Sequence, residues 1–145
     1  MKMKRIILDT NIYGLIVIDK DRLKIINNIL NDSEIKICGS GVIRKELRNT
    51  PKGLVDGINL RNDLLRLFDQ LTRYSYEITP EMRKMAENYL IIYGKLGGRA
   101  SKQDVMNDFL IVACASSHDM DIVNSLLKKK TPNFINYKNF REMIM

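Results

Sequence analysis

The chain has 145 residues, of which 45% are hydrophobic and 28% are charged, and its formal net charge is +7. This length and hydrophobic content predict one domain that buries a proper core without disulfide bonds. Cys38 and Cys114 lie far apart in apolar segments, so they are predicted to be core thiols in a reducing cytoplasm. The apolar run before Asp9 is too short for a signal peptide, and no run approaches the ~18 residues of a membrane span. The composition therefore argues against a disulfide scaffold and a membrane protein.

The positive charge leaves two interpretations open. A basic protein suits a polyanion such as a nucleic acid, whose backbone it can grip through lysines and arginines. Many small proteins, however, carry excess lysine for solubility. Charge alone does not separate these two interpretations.

The chain begins with a strand pattern and continues into a helix pattern. Residues 4–8 form an apolar run, which predicts a short strand buried on both faces, as in a parallel sheet. Asp9, Thr10 and Asn11 follow at once and can cap a helical turn. Apolar residues at helical spacing then predict a helix over residues 21–31.

The next segment repeats this order of strand and helix. Alternating apolar residues predict a second strand over residues 34–38, and the glycines of residues 39–41 predict a turn after it. A helix is predicted from about residue 42 to residue 48, and Pro51 prevents it from continuing further. Leucines and a phenylalanine at helical spacing predict another helix over residues 60–71.

Thr79-Pro80 marks the start of a further helix, with threonine as N-cap and proline at the first helical position. This helix is predicted to end at Gly94 or at residues 97–98. The next helix is predicted over residues 101–117, with Asp104 completing a weak capping box.

The last part of the chain predicts a strand at residues 121–124, a final strand at residues 134–137 and a terminal helical turn. Strands and helices thus alternate without repeats or a linker. This order predicts one α/β domain over residues 1–145, a three-layer sandwich with a central, mainly parallel sheet.

Three acidic residues occupy suggestive places in this pattern. Asp9 directly follows the first strand, and Glu46 lies within two turns of the start of the helix after the second strand. Asp108 lies near the start of a helix whose following residues are almost wholly apolar. Ligand sites of parallel sheets lie beyond the carboxyl ends of the strands, so we expect the three carboxylates to line one pocket. Carboxylates ~4 Å apart repel by about 4 kcal/mol at an effective dielectric near 20, so such a cluster favours a divalent cation.

Each candidate also has a structural interpretation. Asp9 can be a simple helix cap, and Asp104 can be a favourable charge at a helix start. Glu46 can pair with one of its basic neighbours on a solvated face. His118, the only histidine, ends a helix, where a surface role is more common than catalysis.

The strings LDTN, SGVIRKEL and DFLIVACA, in this order, resemble the three acidic blocks of PIN-domain ribonucleases, which include the VapC-type toxins. The resemblance spans roughly residues 4–123. It implies a PIN-like fold and an endoribonuclease that uses Mg²⁺ or Mn²⁺ and leaves 5′-phosphate and 3′-hydroxyl ends. Asp9, Glu46 and Asp108 would then be the metal-binding acids, and Thr10 would match the hydroxyl residue that steadies the first site. The implied partners are RNA, an antitoxin protein and a second copy of the chain in a homodimer.

The sequence departs from the family pattern after the strand predicted at residues 121–124. A fourth acid usually follows that strand, whereas Asn124, Ser125 and Leu126 stand here. Asp104, four residues before Asp108 on the same helix face, is the predicted substitute. Asn124 and Ser125 could instead hold a water molecule by hydrogen bonds.

Two other functions remain open. The missing acid is compatible with a degenerate PIN-like module that binds RNA or protein without cutting. A phosphatase of the haloacid dehalogenase type also begins with a strand and an aspartate, but it needs a second aspartate where Asn11 stands. The nuclease hypothesis further predicts that basic residues flank the acids, because the enzyme must hold the neighbouring phosphates. The candidates are Arg44, Lys45, Arg48, Arg99, Lys102 and Lys128 to Lys130.

Overall fold

The computed structural model describes residues 3–50, 54–55, 58–124 and 134–145, without the side chains of residues 54, 55, 58, 103 and 104. Its centre is a five-stranded sheet in the order β5-β2-β1-β6-β7, in which all neighbours are parallel. Two further strands, β3 and β4, form a separate antiparallel pair. The strands are β1 Lys4–Leu8, β2 Ile35–Ser40, β3 Leu54–Val55, β4 Ile58–Asn59, β5 Tyr74–Tyr76, β6 Asp121–Val123 and β7 Phe134–Ile135. The helices are α1 Thr10–Ile18, α2 Arg22–Asn31, α3 Gly41–Arg48, α4 Leu60–Leu71, α5 Pro80–Lys95, α6 Lys102–Ser117 and α7 Tyr137–Ile144.

Strand β1 lies at the middle of the sheet, between β2 and β6. Its residues Ile6, Ile7 and Leu8 are completely buried, as expected for a strand covered by helices on both faces. The parallel α/β sheet flanked by helices confirms the fold class predicted from the sequence. Because β1, β2 and β6 run in the same direction, their carboxyl ends meet at one edge. The candidate site lies at this edge.

One glycine sets how closely α4 approaches the sheet. A Cβ atom on Gly39 of β2 would lie 2.7 Å from the Phe68 ring and 3.2 Å from the Thr72 methyl group. Phe68 also packs against Tyr13 of α1, with ring centroids 5.5 Å apart. Helices α1 and α4 therefore cover the sheet face towards which Gly39 points.

The structure differs from the predicted elements in several places. Strand β2 continues to Ser40 because β5 pairs with its last residues, so no separate turn exists at residues 39–41. Helix α1 has nine residues rather than one turn. Strand β5 was not predicted from the sequence. The last strand ends at Ile135, and an eight-residue helix follows it rather than a single turn. Pro51, the predicted end of α3, lies outside the described residues.

The C-terminal helix is held to the junction of α1 and α2 by charged groups. Arg141 of α7 donates to Asp19 at 2.8 and 3.2 Å and also pairs with Asp21. Tyr137 donates its hydroxyl to Asp19 at 2.8 Å. These bonds, led by that from Arg141, hold the pKa of Asp19 well below its usual range. In the part of the chain that the structure describes, no helix has the length and apolar character to cross a membrane.

Candidate active site

Asp9 connects β1 to α1 and lies at the carboxyl edge of the sheet. Its backbone N–H donates to the Val123 carbonyl at 2.9 Å, and its carboxylate accepts from the Thr10 N–H at 2.8 Å. The residue is 7% exposed. Burial raises the pKa of Asp9, the Thr10 N–H lowers it, and the nearby charge of Glu46 raises it further. Asp9 is therefore both the N-cap of α1 and a buried acid that a cation would stabilise.

Thr10 joins Asp9 to the second predicted acid. Its hydroxyl donates to the Glu46 carboxylate at 2.7 Å, across 36 positions of the chain. Glu46 reaches this point because α3 starts directly after β2, and its side chain is half-buried. Among the described residues Glu46 makes no ion pair; its neighbour Arg44 binds Asp69 at 3.0 Å instead. The solvated pairing considered for Glu46 is thus replaced by the bond to Thr10.

Asp108 approaches the same two acids from α6. Although it is exposed, partial loss of its water shell raises its pKa to about 6, and the charges of Asp9 and Glu46 act in the same direction. Asp108 therefore lies near enough to Asp9 and Glu46 for their charges to act on it, and its exposure puts it at the rim of the site.

The other predicted site residues are only partly described. The backbone of Asp104 lies in α6 one turn before Asp108, and its side chain is outside the described set, as is all of Ser125. Asn124 follows β6 at the same edge as Asp9, and its N–H donates to the Ile135 carbonyl at 2.9 Å. Asp121 begins β6 at the other edge and pairs with Lys4 at 3.0 Å.

Four of the predicted basic residues, Arg44, Lys45, Arg48 and Lys102, lie on the helices that carry Glu46 and Asp108. Lys45 and Arg48 are exposed in the last turn of α3, which holds Glu46. Arg99, three residues before α6, and Lys102, the first residue of α6, are exposed. Lys128, Lys129 and Lys130 lie outside the described residues.

Ser40 is a polar residue at this edge that the sequence analysis did not select. It is completely buried, and its hydroxyl has no hydrogen-bond partner among the described residues. Ile7 of β1 pairs with Cys38 of β2. Asp9 and Ser40 each follow two residues later, so they lie side by side and point to the same face of the sheet. Buried hydroxyls are rarely left without a partner, which points to a water or ligand here. The only signal in the sequence was its place at the end of β2.

The donor atoms at this edge fit a hard cation. All are carboxylate or hydroxyl oxygens, the ligands of Mg²⁺ and Mn²⁺. Within the described ranges, however, no three acidic, histidine or cysteine side chains are close enough to share one ion. Mg²⁺ usually binds one or two carboxylates and keeps several waters. The residues therefore fit a partly hydrated ion near Asp9 and Glu46, with Asp108 further out.

Comparisons with known proteins show a similarity of fold. Neither a protein-family model nor a curated protein matches the sequence. Among solved structures, the crystal structure of VapBC2 from Rickettsia felis bound to a DNA fragment from their promoter is similar, with a TM-score of 0.61. The match covers 92% of this chain and 98% of that chain at 17% sequence identity. At this identity the likeness shows that the fold is PIN-like, and nothing about activity.

Proposed function

We propose that the protein is a metal-dependent endoribonuclease that hydrolyses phosphodiester bonds of RNA at the edge where β1, β2 and β6 end. The observation that carries this proposal is the pair of hydrogen bonds through Thr10, which join Asp9 after β1 to Glu46 in α3. Two neighbouring acids that are partly or wholly buried repel each other and lose hydration, so the pair destabilises the fold. A bound cation would offset this cost, which is why the pair indicates a metal site.

Each residue has a distinct task in the proposed site. Asp9 and Glu46 would hold Mg²⁺ or Mn²⁺, and Thr10 fixes the direction of both carboxylates. A bound divalent cation supplies neutralisation of the charge that develops on the phosphate. Asp108, at the rim of the site, would accept a proton from the attacking water.

The test is cleavage of single-stranded RNA by the purified protein. We expect cutting with Mn²⁺ or Mg²⁺ that stops with EDTA. Asp9→Asn should abolish cutting while circular dichroism stays native, because it removes the charge that holds the ion and keeps the shape. Asp121→Asn is the matched control at the other sheet edge and should leave cutting unchanged. Asp104→Asn should reduce cutting about 10- to 100-fold if it replaces the missing acid.

A second candidate is an RNA-binding module of the same fold that does not cut. It is favoured by the lack, among the described residues, of three acids close enough to share one ion. Wild-type protein that binds RNA and never cuts it with either metal would replace the nuclease proposal by this one.

The proposed partner is an antitoxin, as in the VapBC2 complex to which the fold is similar. Ile18 and Leu23 are each 70% exposed. Leu23 and Arg22 of α2 line a groove of about 190 Å³ with Arg66 of α4. Asp63 lines the groove as well, and the two arginines leave it a net positive charge, so it fits an apolar segment that carries acidic residues. We expect Leu23→Glu to release the protein from inhibition by the proposed antitoxin, measured as restored RNA cleavage. Inhibition that survives this change would place the antitoxin elsewhere.

A further inference from the structure

Three aromatic rings and two cations form a second surface on the sheet face that also carries Ser40. We call it the stacking surface: Tyr74 and Tyr76 of β5, His118 after α6, Lys36 of β2 and Arg5 of β1. None of these residues has a place in the proposed active site.

The register of the sheet explains why these side chains meet. Arg5 pairs with Lys36 across β1 and β2, so both point to one face. Tyr74 pairs with Cys38, two residues beyond Lys36, and therefore points to that face as well. Tyr76 follows at the same two-residue period. His118 joins them because α6 ends beside this face.

The rings form a continuous series. Lys36 Nζ lies 5.7 Å from the centre of the Tyr74 ring. The Tyr74 and Tyr76 rings are 4.5 Å apart, and Tyr76 stacks on His118 at 3.8 Å with an angle of 26°. Arg5 donates to the Tyr76 hydroxyl at 3.3 Å. Tyr74 at the outer end of the series is 52% exposed, on an edge strand of the sheet.

The cations beside the rings are available to an anion. Within the described part of the chain, neither Lys36 nor Arg5 makes an ion pair. Of the two acids that share a cavity of about 350 Å³ with Arg5, Asp121 is already paired with Lys4. Tyr74 is the exposed ring of the three, and Tyr76 and His118 are half-buried against each other. An exposed aromatic face next to unpaired cations is the combination by which proteins hold single-stranded nucleic acid.

We propose that the stacking surface binds bases of single-stranded RNA outside the point of cleavage. The identity of the ligand as RNA rests on the proposed function. Helix α6 carries Asp108 and ends at Ser117, so at 1.5 Å per residue the two places are about 14 Å apart along it. A strand that crosses the acids can therefore continue onto the rings.

The experiment measures binding of fluorescein-labelled oligoadenylate by anisotropy, in EDTA so that nothing is cut. Tyr74→Leu and Tyr76→Leu should each weaken binding about fivefold or more, because each removes a stacking partner. Tyr76→Phe keeps the ring and loses only the hydroxyl, so it should bind like wild type. Duplex RNA of the same length should bind more weakly, since its bases are already stacked.

The cations have their own matched control. Lys36→Ala should lower the slope of log affinity against log salt by about 0.7, whereas Lys24→Ala on α2, with the same loss of charge, should not. Wild-type protein should also quench 2-aminopurine placed in the oligonucleotide. This readout needs no variant.

Native Tyr74→Leu protein that binds oligoadenylate like wild type would overturn the proposal, as would equal binding of duplex or absence of quenching. Loss of antitoxin binding in that variant, with RNA affinity intact, would assign the surface to protein and overturn it too. RNA cutting that is absent while stacking-dependent binding persists would overturn only the nuclease function. RNA cutting that persists without stacking-dependent binding would overturn the stacking surface and keep the nuclease function.

Discussion

Thr10 binds with both of its polar groups at the candidate site, the N–H to Asp9 and the hydroxyl to Glu46. Thr10→Val keeps the shape and removes only the hydroxyl. We expect it to weaken Mn²⁺ binding about 10- to 100-fold, the usual effect of losing a group that orients a metal ligand. Thr10→Ser should bind Mn²⁺ nearly as well as wild type. Isothermal titration calorimetry measures both, and equal affinity for Thr10→Val would remove Thr10 from the site.

Asp108 gives the site a pH dependence of stability. Its pKa is about 6 in the folded protein and about 4 in an unfolded chain, so the folded state binds more protons between these values. Stability therefore falls as pH rises through this window and stays lower above it. In EDTA, Asp108→Asn should raise the Tm at pH 8 by about 1 to 3 °C and change little at pH 4.

Asp69 serves as a control whose contribution to stability should depend on pH in the opposite direction. The hydrogen bond from Arg44 lowers the pKa of Asp69, so its stabilisation is present above the unfolded pKa and is lost as pH falls through the folded pKa. Asp69→Asn should lower the Tm at pH 8 and have less effect at acid pH. Parallel shifts for the two variants would show that neither burial nor the neighbouring charges raise the pKa of Asp108.

At the residue level the sequence located acids by their place after strands. Asp9 and Glu46 follow β1 and β2 closely, so the direction of the strands was enough to bring them to one edge. The hydroxyl of Ser40 could not be selected in this way, because serine at a strand end is common and only burial makes it unusual. The stacking of Tyr76 on His118 depends on β5, which the sequence did not predict.

Gly39 is the element-level contact that lets α4 lie on β2. A methyl group there would meet the Phe68 ring at 2.7 Å, so Gly39→Ala should destabilise the protein by about 1 to 3 kcal/mol in urea unfolding. Gly94 of α5 has open space around its Cβ position. Gly94→Ala should therefore stabilise by about 0.5 to 1 kcal/mol, since alanine favours the helix. If both substitutions changed the free energy of unfolding in the same direction, the close packing at Gly39 would be contradicted.

Long elements were predicted better than short ones, for a physical reason. Helices α2 and α4 bury a stripe of apolar residues, which leaves a clear period in the sequence. Strand β5 has three residues at a sheet edge, two of them exposed, so no apolar alternation marks it. Strand β2 extends beyond its apolar residues because β5 pairs with Gly39 and Ser40, a contact between distant parts of the chain.

For the whole molecule, the predicted homodimer has a candidate surface at the end of α5. Ile91, Ile92 and Leu96 are 55%, 53% and 82% exposed. A second copy would bury these side chains, so we expect a dimer in size-exclusion chromatography with light scattering. Ile92→Lys should shift it to monomer, whereas Leu23→Lys on α2 should not. A wild-type monomer at high concentration would refute the homodimer.

The place of β1 between β2 and β6 also bears on the order in which the protein is made. Strand β2 emerges from the ribosome soon after β1, but β6 belongs to the last quarter of the chain. Asp108 precedes β6 by one helix, and the Val123 carbonyl that accepts from the Asp9 N–H arrives with β6. A nascent chain can therefore form the first half of the sheet without completing the acid site. A chain interrupted before this point lacks Asp108 and the hydrogen bond that holds the Asp9 backbone to β6.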